Sequence, residues 1–130
     1  MAQLTMAIYG DASIDEVARL RAFAAVASDL LGCPVDHDDL RLLVSELATN
    51  AVRACSEQVC VTAECVEPST LRVTVTDDGH GEPVLHRPAP LDAGGGRGLM
   101  IVDAISTTWG VDDPAGSGST AVWFELTASS

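Results

Sequence analysis

At 130 residues, 47% hydrophobic and 20% charged, the chain fits one globular domain with a buried core and is not a disordered tail. The formal net charge of −12 excludes a general nucleic-acid binder, which needs a basic surface. All seven positive residues are arginines, so P-loop, Schiff-base and lysine-base chemistry are excluded as well.

The first residues show no signal-peptide pattern, and no segment approaches the ~20 apolar residues of a membrane span. The expectation is a cytoplasmic protein with no membrane contact. Residues 3–9 alternate loosely and read as a short strand. Ser13 to Glu16 form a capping-box pattern that predicts a helix from about residue 14. Val17, Leu20, Ala24, Ala27, Leu30 and Leu31 keep helical spacing, and Gly32 and Pro34 end it. A second helix is predicted after Asp36, running to about Cys55, with Asp38 and Asp39 at the positive end of its dipole. Strands at 58–66 and 70–77 follow. Residues 78–97 hold five glycines and three prolines without apolar periodicity, the mark of a long functional loop. Helical spacing returns from Leu99 to Ile105, then strands at 108–112 and 120–127 flank a turn. The order β-α-α-β-β-loop-α-β-β suggests an α/β (α+β) two-layer sandwich, with helices on one face of a sheet. Cys33, Cys55, Cys60 and Cys65 lack zinc-knuckle spacing, and the last two should point to opposite strand faces. They read as small buried side chains.

Three constellations could carry chemistry. On the second helix, Leu40, Leu43, Leu47, Ala51 and Ala54 make the core stripe, with Glu46, Asn50 and Arg53 stacked on its flank. A carboxylate and an amide oxygen one turn apart can share a hard cation or activate a water, but an ordinary polar flank would look the same. In LRVTVTDDGHG, parity puts Asp77 on the inward face with Leu71, Val73 and Val75, and Asp78 on the outward one. An acid ending a core-facing row needs a hydrogen-bond donor. Gly79 and Gly81 then permit a close approach, although a plain Asp-Asp-Gly turn fits too. Gly94 to Leu99 open a helix, where glycine amides and the dipole favour an anion such as phosphate; a flexible linker is the alternative. On the last strand Thr120 shares the inward face of Val122, Phe124 and Leu126, while Trp123 points outward.

Taken together, Glu46-x₃-Asn50, Asp77-x-Gly79-x-Gly81 and Gly96-Arg97-Gly98-Leu99 resemble the GHKL ATPase superfamily, whose Bergerat ATP-binding fold is shared by DNA gyrases and histidine kinases. The likeness spans roughly residues 10–127. SELATNAVRA, VTDDGHG, GGRGLMIVDAIS and TAVWFEL look like the small standalone anti-sigma-factor-type serine/threonine kinases of actinobacteria. The resemblance implies a mixed, mostly antiparallel sheet and one ATP-binding domain over 1–130, with an ATP lid at about 80–97. It implies Mg²⁺ held by the Asn50 side-chain oxygen, and Glu46 orienting or deprotonating the attacking hydroxyl or water. Asp77 would accept from the adenine amino group with Thr120 beside the base. Gly79 and Gly81 would make room for the nucleotide, and Arg97 with the Gly96, Gly98 and Leu99 amides would meet the phosphates. Arg53 is counted with the nucleotide-binding set. The implied partners are a sigma factor or an anti-anti-sigma factor, and a homodimer through Trp123 or the first strand is open. The rival reading is an ATP-binding interaction module without catalysis. The chain departs from its relatives at Ala54-Cys55, at His80 and at Ser119.

Overall fold

The computed structural model of the chain describes residues 4–53, 57–78, 94–112 and 120–128. Its elements are β1 (Thr5–Asp11), α1 (Ile14–Leu30), α2 (His37–Arg53), β2 (Gln58–Glu67), β3 (Thr70–Asp77), α3 (Gly94–Ile105), β4 (Thr108–Asp112) and β5 (Thr120–Thr127). The strands form one sheet in the order β1-β2-β3-β5-β4, antiparallel at every pairing. β1 sits two residues later than its own alternation predicts, because β2 fixes its register from Thr5↔Glu64 to Asp11↔Gln58.

Period-2 alternation gives the sheet one apolar face. Val59, Val61 and Ala63 of β2, Leu71, Val73 and Val75 of β3, and Val122, Phe124 and Leu126 of β5 are all buried on it. Leu20, Ala24 and Ala27 of α1 and Leu40, Leu43, Leu47 and Ala51 of α2 cover that face in a single cluster. Each large side chain buried this way contributes roughly 1.5–3 kcal/mol. The result is the two-layer arrangement, helices over one face.

Local chemistry sets the helix ends. α1 stops in a Schellman turn: Gly32 adopts φ 71°, its N–H donates to Asp29 O, and Cys33 N–H donates to Ser28 O. The buried Ser28 hydroxyl donates to Cys33 O at 2.7 Å and accepts from Val35 N–H at 3.2 Å, fastening the link to α2. α2 is capped by Asp36, whose Oδ1 accepts from Asp39 N–H at 2.9 Å. The capping box expected at α1 does not form. Ser13 has the extended backbone of a cap but makes no side-chain cap bond. The Glu16 carboxylate turns instead to Arg19, 2.7 Å away, whose guanidinium also donates to Tyr9 O.

α3 begins at Gly94, ahead of the Leu99 start suggested by its apolar spacing, so the glycine run forms the helix's first turns. Glycine is a poor helix former. The buried Val102 and the partly buried Ile101 and Ile105, packed into the core, hold the helix from its other end. Cys60 and Cys65 take opposite sides of β2, with Cys65 packed against the core beside a register shift at Glu67. Trp123 faces outward as parity requires but is only partly exposed. Its ring packs closely against Gly110, and the Arg72 guanidinium lies 4.7 Å from its ring centroid. Among the described residues, no helix is long and apolar enough to cross a membrane.

Candidate functional site

The C-terminal half of α2, the end of β3, the start of α3 and the start of β5 carry the residues singled out by the sequence. On α2, Glu46 is half-buried, Asn50 is 6% exposed and Arg53 is exposed. Asn50 is therefore turned into the protein, deeper than the flank position that helical periodicity assigned it. Its Nδ2 is the buried side-chain polar atom, among the described residues, that lacks a hydrogen-bond partner. Such an atom is costly to bury and calls for a partner supplied from outside the fold. As placed it is a donor, suited to a phosphate oxygen or a water of a hydrated cation. Half a turn about χ2 presents the carbonyl oxygen that a cation takes directly.

The two adjacent aspartates have different surroundings. Asp77 ends β3 on the helix-facing side, opposite Val59 on β2 and opposite Thr120 on β5. It is half-buried. Asp78 turns the other way, and its Oδ1 accepts from Glu57 N–H at 2.9 Å and Gln58 N–H at 3.0 Å. It tacks the start of β2 to the end of β3, an anchoring role for which strand parity gave no signal. Tyr9, Gln58, Cys60 and Thr76 line a shallow hollow of about 310 Å³ at this end of the sheet, which Val59 and both aspartates also border.

Gly96, Arg97, Gly98 and Leu99 lie within the first turns of α3. The first N–H groups of an α-helix have no intrahelical acceptor, so the amides of α3 from Gly94 onward take their acceptors from outside the helix, at the positive end of its dipole. The donors expected of Gly96–Leu99 thus begin two residues earlier. Thr120 opens β5 across from Asp77. Gly79 and Gly81 lie outside the described residues, as does the lid of about 80–97 up to residue 93.

Among the described residues, no three His, Cys, Asp or Glu side chains are grouped to hold a metal. Asn50 and Glu46 could supply one or two oxygens, and a hard cation there would complete its shell with oxygens of a ligand and water. That is the manner in which Mg²⁺ binds together with phosphates, and the unpartnered Asn50 amide fits it.

A family profile described as "Histidine kinase-, DNA gyrase B-, and HSP90-like ATPase" matches residues 35–130. Among solved structures, the chain is similar to the histidine kinase domain from the Erythrobacter litoralis EL346 blue-light activated histidine kinase. The TM-score is 0.53 at 23% identity, covering 85% of this chain and 60% of that one. At that identity the likeness is one of fold, and the chain spans about 60% of the other's length. No curated protein matches the chain closely.

Proposed function

The chain belongs to the histidine kinase-, DNA gyrase B- and HSP90-like ATPase family, and from that premise we propose that it is a Mg²⁺-ATP-binding, anti-sigma-type regulatory factor. In this reading it is a cytoplasmic serine/threonine protein kinase whose substrate is an anti-anti-sigma partner. The observation that carries the nucleotide reading is the buried Asn50 amide, one end unpartnered, one helical turn from the Glu46 carboxylate. The likeness of SELATNAVRA, VTDDGHG and TAVWFEL to small anti-sigma-type kinases supports the narrower assignment.

Mg²⁺-ATP, when bound, supplies the transferable phosphoryl group. Asn50 takes the cation or its water shell. Glu46 accepts the proton of an incoming serine or threonine hydroxyl, or orients it. Asp77 accepts from an exocyclic amino group, with Thr120 beside it. Arg97 and the opening amides of α3 balance the negative charge of the phosphates. Phosphoryl transfer is mainly positioning and charge neutralisation, and a chain without lysine must achieve both with amides, arginine and a cation.

Labelled ATP, Mg²⁺ and a panel of candidate anti-anti-sigma domains test the assignment. Label should appear on a partner serine or threonine and vanish with Glu46→Ala. Partner labelling that survives Glu46→Ala refutes the base assignment. ATP binding with no transfer to any partner favours the non-catalytic interaction module. Absence of any Mg²⁺-ATP thermal shift at ~100 Kd, where about 2.7 kcal/mol of stabilisation is expected, overturns the nucleotide reading itself.

A further inference from the structure

α1 carries apolar residues on a side that its own core does not use. Ile14, Ala18, Ala22, Val26 and Leu30 stand four apart and form one continuous ridge along the helix. All five are exposed, Ile14 by 64%, Val26 by 54% and Leu30 by 69%. The other side of α1, through Val17, Leu20, Ala24 and Ala27, is already buried against α2 and the sheet. A helix apolar on both sides has the composition of one covered on both sides.

Beside this ridge, α1 and α2 enclose an open groove of about 510 Å³. Ala18, Ala22, Val26 and Leu42 give it an apolar floor, and Arg21 and Arg41 border it, with no acidic residue in the lining among the described residues. In a chain of net charge −12 with seven cations, two of them face this one groove. Among the described residues, neither is neutralised by a buried pair. Arg21 Nη1 is 3.4 Å from the Ser45 hydroxyl, and Arg41 is 3.8 Å from an Asp38 side chain that is 96% exposed. Both keep guanidinium donors for an incoming carboxylate.

We propose that the α1–α2 groove docks an acidic amphipathic helix of a partner protein, its apolar face on the Ala18–Ala22–Val26 ridge and its carboxylates on Arg21 and Arg41. Small alanines let a second helix approach closely, and a ridge of four-residue spacing is the shape that helix packing uses. Charge selects the partner over a second copy of this chain. A two-fold copy seated on the same patch would bring arginines to arginines. The site is separate from the nucleotide residues and stands whether or not the chain binds ATP.

The full chain is titrated with a fluorescent helical peptide of roughly 18 residues, apolar at four-residue spacing and flanked by glutamates, and with its glutamate-to-lysine counterpart. The glutamate peptide should bind roughly tenfold tighter, weaken with salt, and shift amide resonances of Ala18–Val26 and Leu42–Ser45. The double variant Arg21→Glu, Arg41→Glu should reverse the preference, and Ala22→Asp should abolish both complexes while circular dichroism stays unchanged. Equal affinity for the two peptides, shifts confined to another surface, or no binding overturns the proposal. So does concentration-dependent dimerisation of the wild type that Ala22→Asp removes, which would assign the face to a second copy.

Discussion

Asp77 and Thr120 stand directly opposite each other across the β3–β5 ladder, the last residue of one strand facing the first of the next. The same register that pairs Val73 with Phe124 and Val75 with Val122 in the core sets Asp77 and Thr120 at paired positions at the sheet's end. Hydrophobic packing thereby sets the register at which these two positions meet. A hydrogen bond to a charged group contributes about 1.5–3 kcal/mol. Asp77→Ala should therefore weaken ATP binding by roughly 10- to 100-fold, and Thr120→Ala by less, as read by titration calorimetry. An unchanged affinity in Asp77→Ala would remove Asp77 from the adenine position.

Asp78 should behave in the opposite way. Its carboxylate holds the Glu57 and Gln58 amides, so Asp78→Ala should cost about 1 kcal/mol in urea unfolding, the exposed amides turning to water in its absence. ATP affinity should change far less than in Asp77→Ala.

Asn50 gives a prediction in which stability and binding part company. Removing an unpartnered buried amide removes a desolvation cost, and alanine is the better helix former. Asn50→Ala should leave the nucleotide-free protein as stable as the wild type, or more stable by up to about 1 kcal/mol, and abolish the Mg²⁺-dependent part of nucleotide binding. Leu47→Ala, one turn earlier on α2 and 2% exposed, should cost about 2–5 kcal/mol. A comparable loss in Asn50→Ala would mean that the amide is a structural group.

Cys33 adds a pH dependence. Burial first, then the neighbouring Cys65 thiol, pushes the Cys33 thiol up from 9.0 to about 12. The native state keeps this proton where the unfolded chain has released it, so stability is fully present below pH 9 and falls as pH rises toward about 12. The slope approaches about 1.4 kcal/mol per pH unit in that window. Unfolding at pH 8 and pH 10 should show the loss in wild type and a smaller one in Cys33→Ala. A thiol reagent at neutral pH should leave Cys33 unmodified until the protein unfolds.

Gly110 is a close approach with a spectroscopic readout. A Cβ there would meet the Trp123 ring 2.6 Å away, so Gly110→Ala must lift the indole from its seat and from Arg72. A cost of about 1–3 kcal/mol and a red-shifted tryptophan emission are expected. An unshifted spectrum at full stability would mean that the ring rests elsewhere.

Where one local rule governed, the sequence was readable. Strand parity separated Asp77 from Asp78 and brought Thr120 to the same side, because a period of two leaves no third choice. Helical periodicity was coarser. It grouped Glu46, Asn50 and Arg53 as one flank, whereas their burial is graded and Asn50 is interior, since the reach of neighbouring layers decides where a flank ends. The capping box failed because Glu16 had a nearer partner in Arg19, which the fold also holds by the Tyr9 carbonyl. The glycine run was legible as a helix opening but not as helix, since propensity resists it, while Val102, Ile101 and Ile105 pack the same helix into the core. The outward Trp123 read as an exposed aromatic; the fold packs it against Gly110 and beside the Arg72 guanidinium, neighbours that periodicity does not name.

The strand order places β3 third of five, with β1 and β4 at the margins. A sheet frays from its margins inward, so its subglobal openings should release β1 and β4 while the centre stays intact. Native-state hydrogen exchange should then show β3 amides exchanging only with global unfolding and β1 amides well before it. Asp77 is thus carried by the strand last to separate, and excursions that loosen half the sheet would leave the carboxylate where the register put it.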